Sequence, residues 1–173
     1  MPPDSQQVWV FGYGSLIYHA DFPYVDSRRA SIVGWRRRFW QGSHDHRGTP
    51  EAPGRVVTLE ESPGELCQGR AYLIDHGVFQ HLDHREKNGY ERYPLPITLA
   101  DYGVRDGVVY IAPEGNFAWL GEKTAAEVAA QIAQSTGPSG KNRDYVLNLA
   151  AALQEMEIED AHVFELALLL KTL

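Results

Sequence analysis

The sequence predicts an α+β fold in which a small, curved sheet or barrel carries helices that come mostly from the C-terminal half. Two observations lead to this prediction. Runs rich in β-branched and aromatic residues, bounded by Gly and Pro, recur up to residue 113. Most segments between these runs are too short for a crossover helix, so we expect antiparallel or mixed strand pairing rather than a doubly wound parallel sheet.

Six strands and four helices are expected. The strands are residues 7–13, 31–40, 55–60, 67–74, 93–99 and 107–113. The first helix begins near Asp75, stops at Asn88-Gly89 and has an apolar face that includes Leu82. The later helices comprise one that opens with the capping box Thr124 and Glu127 and closes at Gly137-Pro138, one over 142–156 with Asn142 as N-cap, and an apolar one over 161–170.

Length and composition favour one cytoplasmic domain. At 173 residues the chain is most simply a single domain over 1–173, with 1–6 as a loose tail. The single cysteine, Cys67, excludes an internal disulfide framework, and neither a signal peptide nor a membrane span is expected. We therefore predict a soluble, cytoplasmic protein without a membrane partner. The oligomeric state is not predicted.

The charge balance disfavours polyanionic partners. The chain has 23 acidic and 16 basic residues, so its net charge of −7 repels nucleic acid. The segment WRRRFW at 35–40 is a local exception, and we interpret it as a strand with its arginines on the exposed face. No nucleic-acid partner is expected.

The stretch FGYGSLIY at 11–18 is a candidate site or a simple turn. Gly12 and Gly14 let a ligand approach the backbone, and Tyr13 and Ser15 supply hydroxyls. The stretch lacks both the small residue that a nucleophile elbow requires and the third glycine of a dinucleotide fingerprint. It therefore indicates neither a serine hydrolase nor a nucleotide cofactor.

Metal and carboxylate chemistry are weakly indicated. His44 and His46 share a face of one short segment but have no third ligand at a recognised spacing, so ordinary polar loop residues are favoured and no metal or cofactor is expected. Asp83 and Glu86 are three apart, a spacing compatible with a two-carboxylate glycosidase and also common on solvated helices. Composition alone favours the solvated surface.

Six segments in order resemble the ChaC family of glutathione-specific gamma-glutamylcyclotransferases. These are FGYGSLI, DFPY, RRFWQGSHDHRG, PGRVVTL, LDHREKNGY and GPSGKN, and the resemblance covers Val8 to Leu149. It implies a small mixed β-barrel flanked by helices, and cleavage of glutathione to 5-oxoproline and cysteinylglycine without a cofactor. The chain departs from the family's pattern at Tyr18, His44, His84 and Asn88.

The resemblance also implies roles for particular residues. Glu86 matches the family's catalytic acid/base. The substrate-binding loop is matched by Val10, Phe11, Gly12, Tyr13, Gly14, Ser15 and Leu16, and Tyr145 is expected to face the substrate. Two alternatives remain: a cyclotransferase for other gamma-glutamyl amines or peptides, and a non-catalytic domain of this fold that binds a small amide or a partner protein.

Overall fold

The five long strands form a closed, mixed β-barrel. The computed structural model describes residues 6–85 and 89–173. The barrel strands are β1 (Gln7–Gly12), β2 (Asp26–Ser43), β3 (Gly54–Asp75), β4 (Glu91–Leu99) and β5 (Gly103–Ile111), in the order β1-β3-β2-β4-β5. Strand β1 pairs antiparallel with β3 and parallel with β5. The predicted α+β class with a small mixed barrel is confirmed.

The described part of the chain has four α-helices and a two-stranded hairpin. The helices are α1 (Phe79–Arg85), α2 (Ala125–Ala133), α3 (Asn142–Glu155) and α4 (Ala161–Leu170), and the hairpin pairs β6 (Thr136–Gly137) with β7 (Gly140–Lys141). The predicted capping box is present, because the Thr124 side chain accepts from the Glu127 N–H. None of the helices within residues 6–85 and 89–173 has the length and apolar character needed to cross a membrane.

Two of the predicted strands are a single strand. Residues 55–60 and 67–74 both belong to β3, which runs without a break from Gly54 to Asp75. Pro63 and Gly64 in its middle are exposed, and Gly64 has a φ of 83°. A strand tolerates a proline and a glycine where no neighbouring strand needs an N–H donor at the proline position. These residues therefore did not mark a turn.

Asn142 does not cap α3. The residue before it, Lys141, is the N-cap, and the Asn142 side chain is fully buried. Its Oδ1 accepts from the Arg55 N–H at 2.8 Å, and its Nδ2 donates to the Arg55 carbonyl at 2.9 Å. The amide therefore pairs with the backbone of β3 as a neighbouring strand would, because a buried backbone donor and acceptor must both find partners.

The chain divides into two compact units. One comprises the described residues of Met1–Arg36 together with Glu61–Ile111, and the other comprises Arg37–Glu60 with Ala112–Leu173. Strands β2 and β3 each contribute residues to both units. The expectation of one domain over 1–173 stays a prediction, and residues 1–5 of the expected tail lie outside the described residues.

In the first unit an apolar cluster supports the end of β1. Its buried members are Val10, Leu16, Phe22, Tyr72, Ile74, Phe79, Leu82 and Tyr110. Each fully buried apolar side chain of this size stabilises the fold by about 1.5–3 kcal/mol. Because Leu16 belongs to the cluster, hydrophobic burial fixes the segment that follows β1.

In the second unit Arg37 of the WRRRFW segment is buried, contrary to the expectation that the arginines of this segment are exposed, and Arg55, which lies outside the segment, is buried too. Arg37 is 3 % exposed and forms an ion pair with Asp160 at 3.0 Å. Arg55 is 2 % exposed and donates to Gln131 and to the carbonyls of Phe39 and Gly121. Burial lowers the pKa of Arg55 and nearby Glu127 opposes this effect. A buried guanidinium is tolerated where acceptors surround it.

Candidate active site

The segment after β1 forms a tight turn that only glycine permits. Strand β1 ends at Gly12, and a short 3-10 turn, Ser15–Ile17, follows with Gly14 as its N-cap. A Cβ on Gly12 would lie 2.8 Å from the Leu16 Cβ and 3.3 Å from the Arg70 carbonyl oxygen. Leu16 therefore folds back over the end of β1, as close approach at glycine allows.

The turn is held through its carbonyl groups. Ile17 N–H donates to the Gly14 carbonyl at 2.9 Å, and His19 N–H donates to the Ser15 carbonyl at 2.7 Å. The Tyr72 hydroxyl donates to the Leu16 carbonyl at 2.5 Å. The N–H groups of Gly14, Ser15 and Leu16 donate to no residue that the structure describes. These three N–H groups can bind an anion, because successive unpaired N–H groups carry partial positive charge.

The predicted loop residues fall into two groups. Val10 and Phe11 are buried at 0 % and 1 % exposure, so they anchor the segment in the core. Tyr13 is also buried, and its hydroxyl donates to the Tyr110 carbonyl at 2.6 Å. Ser15, the other hydroxyl residue of this loop, is half-buried. The segment that can meet a ligand with its backbone is therefore Gly14 to Leu16.

Tyr72 was not singled out from the sequence, yet it fixes this turn. Burial raises the pKa of Tyr72 to about 12, the Arg70 charge lowers it in part, and Tyr24 raises it further. The hydroxyl is therefore a neutral donor at ordinary pH. Phe22 and Tyr24 of the DFPY segment meet the Tyr72 ring edge-on at 5.5 Å and 5.1 Å. Alternation within β3 placed Tyr72 on the core face, but its hydroxyl's partner could not be inferred.

Helix α1 ends at Arg85, directly before the predicted catalytic carboxylate in the chain. Asp83 Oδ1 accepts from the Tyr110 hydroxyl at 2.6 Å, and Asp83 Oδ2 lies 3.5 Å from the Arg92 guanidinium. The same guanidinium lies 4.2 Å from the centre of the Phe79 ring. Glu86 itself lies outside the described residues. Its role as acid/base therefore stays a prediction.

Tyr145 belongs to the second unit, whereas the loop belongs to the first. The tyrosine lies on α3 and is 7 % exposed. Its hydroxyl accepts from the Val57 N–H at 3.4 Å, and Phe39 meets its ring edge-on at 5.9 Å. The expectation that Tyr145 faces the substrate stays a prediction.

Other motif residues of the second unit have packing roles. A Cβ on Gly137 would lie 2.4 Å from the His46 carbonyl oxygen, and one on Gly48 would lie 2.1 Å from the Gly54 nitrogen. The His46 ring lies 3.3 Å from the Ser139 hydroxyl. Within the two described ranges, no three His, Cys, Asp or Glu side chains are grouped as metal ligands would be.

The closed mixed barrel with its glycine turn after the first strand has the fold of the gamma-glutamylcyclotransferases. A crystal structure of selenomethionine-labelled yeast gamma-glutamyl cyclotransferase specific to glutathione matches with a TM-score of 0.87 and 31% identity, covering 96% of each chain. A structure described as gamma-glutamyl cyclotransferase, 14% identical, shares the fold with a TM-score of 0.50.

The chain belongs to the ChaC family. Residues 8–173 match the family described as ChaC-like protein. Gamma-glutamylcyclotransferase 2-3 of Arabidopsis thaliana is 42% identical, over 92% of this chain and 86% of that protein. Glutathione-specific gamma-glutamylcyclotransferase 1 of Danio rerio is 37% identical, over 98% of this chain and 92% of that protein. The resemblance noted from six segments is thereby confirmed.

Proposed function

We propose that this chain is a glutathione-specific gamma-glutamylcyclotransferase that releases 5-oxoproline and cysteinylglycine. The observation that carries the proposal is membership of the ChaC family together with relatives named for this activity, of which the Danio rerio protein is 37% identical over 98% of the chain. Glutathione is the proposed small-molecule partner. A cytoplasmic location, expected from the single cysteine, belongs to the same proposal.

The proposed reaction is intramolecular and requires no enzyme nucleophile. The substrate's α-nitrogen attacks its γ-carbonyl carbon, a five-membered lactam closes, and the bond from that carbon to the cysteine nitrogen breaks. The α-ammonium gives up two protons in becoming the lactam N–H, and the departing nitrogen gains two in becoming an ammonium. Well-oriented intramolecular attack reaches effective molarities of about 10⁵ M or more, so holding the folded substrate supplies much of the rate.

Glu86 is proposed to move the protons. An ammonium cannot attack, so a base must take a proton from it before the ring closes. The same group, now an acid, returns a proton to the departing nitrogen. One carboxylate can perform both steps. Support for Glu86 comes from its position in the LDHREKNGY segment that the chain shares with the family's pattern.

The loop Val10 to Leu16 is proposed to bind the substrate. The three N–H groups of Gly14, Ser15 and Leu16, which donate to no described residue, are suited to the substrate's α-carboxylate or to the oxyanion that develops on the γ-carbonyl. Tyr145 is proposed to face the substrate because it follows the GPSGKN segment closely.

The proposal is tested by incubating the purified chain with reduced glutathione and quantifying 5-oxoproline and cysteinylglycine. Glu86→Gln should lower kcat by about 100-fold or more, since general acid–base catalysis contributes that much. Glu91→Gln removes an equal charge from an exposed site on β4 and should retain wild-type turnover. Absence of both products at high enzyme concentration would overturn the proposal, and full activity of Glu86→Gln would overturn the mechanism.

A cyclotransferase of broader specificity is the second candidate. It is favoured by the Arabidopsis thaliana relative, 42% identical, whose name specifies no glutathione. The two candidates are separated by measuring kcat/KM for glutathione and for gamma-glutamyl-alanine. Glutathione specificity predicts little turnover of the dipeptide.

Calorimetry that shows glutathione bound but never consumed would instead support the non-catalytic alternative.

A further inference from the structure

Arg70 projects from the barrel beside the loop Val10 to Leu16. In the antiparallel ladder of β1 and β3, Arg70 pairs with Gly12. Paired residues project from the same face of a sheet, and Tyr72, two residues along β3, shares that face. Gly12 has no side chain there, and Leu16 lies over it, within 2.8 Å of where a Gly12 Cβ would be. The base of the Arg70 side chain therefore lies next to Leu16. It is on the same face of the sheet as Tyr72, whose hydroxyl donates to the Leu16 carbonyl.

The guanidinium of Arg70 has no counter-charge in the described part of the chain. The side chain is half-buried, and it forms neither an ion pair nor a hydrogen bond with residues 6–85 or 89–173. Its charge is close enough to act on Tyr72, whose pKa is raised mainly by burial and lowered in part by Arg70. A guanidinium presents five N–H donors, which match a carboxylate in bidentate geometry.

Other arginines of the same unit are engaged. Arg28 forms an ion pair with Asp26 at 3.1 Å, and Arg92 forms one with Asp83 at 3.5 Å. Arg105 is exposed on β5 and lies 5.8 Å from the centre of the Tyr102 ring. In a chain of net charge −7, a local positive charge attracts an anionic substrate against the repulsion of the whole molecule. Arg70 supplies that charge beside the proposed substrate loop.

We propose that Arg70 determines substrate affinity by binding a carboxylate of the gamma-glutamyl substrate with its guanidinium. The inference rests on the proposed function, since it concerns the same loop. Glutathione has two carboxylates, one on the gamma-glutamyl residue and one on the glycine. Both have the chemistry that Arg70 recognises, and the experiment distinguishes them.

Steady-state kinetics with glutathione test the proposal. Arg70→Gln should raise KM by about tenfold or more and leave kcat within about twofold, because a charge-assisted hydrogen bond to bound substrate is lost. Arg70→Lys keeps the charge without the bidentate geometry and should give an intermediate KM. Arg105→Gln removes the same charge from β5 and should retain the wild-type KM. Added salt should raise KM more for the wild type than for Arg70→Gln.

A second substrate identifies the carboxylate. With glutathione whose glycine carboxylate is an ethyl ester, a wild-type KM raised to that of Arg70→Gln assigns the glycine carboxylate. A KM ratio between variant and wild type that is the same for ester and acid assigns the gamma-glutamyl carboxylate.

The outcomes separate this inference from the proposed function. If Arg70→Gln cleaves glutathione with a KM within about twofold of the wild type, or changes KM no more than Arg105→Gln does, the role of Arg70 is refuted while the cyclotransferase activity stands. If the wild type releases no 5-oxoproline, the proposed function fails first, and the role of Arg70 fails with it.

Discussion

The hydroxyl of Tyr110 donates a hydrogen bond to Oδ1 of Asp83 at 2.6 Å. The carbonyl of the same tyrosine accepts from the Tyr13 hydroxyl, also at 2.6 Å. One residue of β5 is thus bonded both to the loop after β1 and to helix α1. Asp83 precedes Glu86 by three positions in the chain, so this connection orients the helix from which the proposed acid/base follows.

We expect Tyr110→Phe to lower kcat for glutathione by roughly tenfold with little change in KM, since small misplacements of a catalytic group are costly. The free energy of unfolding should fall by about 1 kcal/mol for the lost hydrogen bond. Kinetics and urea denaturation measure the two effects. Tyr102→Phe, at an exposed tyrosine, is the control, and equal kcat values for both variants would contradict the connection.

Gly12→Ala should displace the loop. The new Cβ would lie 2.8 Å from the Leu16 Cβ, so the turn must shift, at a cost of about 1–3 kcal/mol in the free energy of unfolding. Activity should fall with it, because the N–H groups of Gly14 to Leu16 move. Gly77→Ala is the matched control, since nothing lies within 4 Å of the added Cβ. Thermal unfolding and product release are the measurements, and a fully active Gly12→Ala would show that the turn tolerates the shift.

Asn142→Ala should destabilise the second unit. The substitution leaves the buried N–H and carbonyl of Arg55 without their partner, and each unsatisfied group costs about 1–3 kcal/mol. Asn148→Ala, at an exposed position of the same helix, should change stability by less than about 0.5 kcal/mol. Urea denaturation compares the two. Equal midpoints would mean that water or relaxation satisfies the Arg55 backbone.

Tyr72 gives the stability of the chain an alkaline dependence. Burial raises the pKa of Tyr72 to about 12 from an ordinary value of 10.0, so the folded state holds the phenolic proton more tightly than the unfolded state. Its contribution to stability is complete below pH 10 and is lost as the pH rises from about 10 towards 12. Urea midpoints should therefore fall less steeply over that range in Tyr72→Phe than in the wild type. Parallel pH profiles would contradict the raised pKa.

Local signals in the sequence predicted the elements well. The capping box of Thr124 and Glu127 begins a helix where expected, and the runs of β-branched and aromatic residues are strands. These signals act between residues a few positions apart. The strand prediction was wrong at Pro63-Gly64, which lies within β3 and not at a boundary between two strands. There an exposed strand could accept residues that usually mark a turn.

The candidate site was predicted as a set of residues but not as a geometry. The order of the motifs predicted that Gly12 to Leu16 bind the substrate and that Glu86 is the acid/base. The partners of the loop carbonyls came only from the structure, since Tyr72 reaches Leu16 across 56 positions of the chain. The alternation of residues within β3 does not predict which carbonyl accepts the hydrogen bond of the Tyr72 hydroxyl.

By itself, the sequence determined the mixed α+β class, most helix positions and the family. Periodicity and caps depend on residues a few positions apart, and the order of the motifs can be read along the chain. Tertiary structure decided the rest. Arg37 is buried because Asp160 reaches it from 123 positions away, and Asn142 pairs with Arg55 from 87 positions away. A polar or charged side chain can be buried only when its partner arrives with it, and chain folding alone brings such partners together.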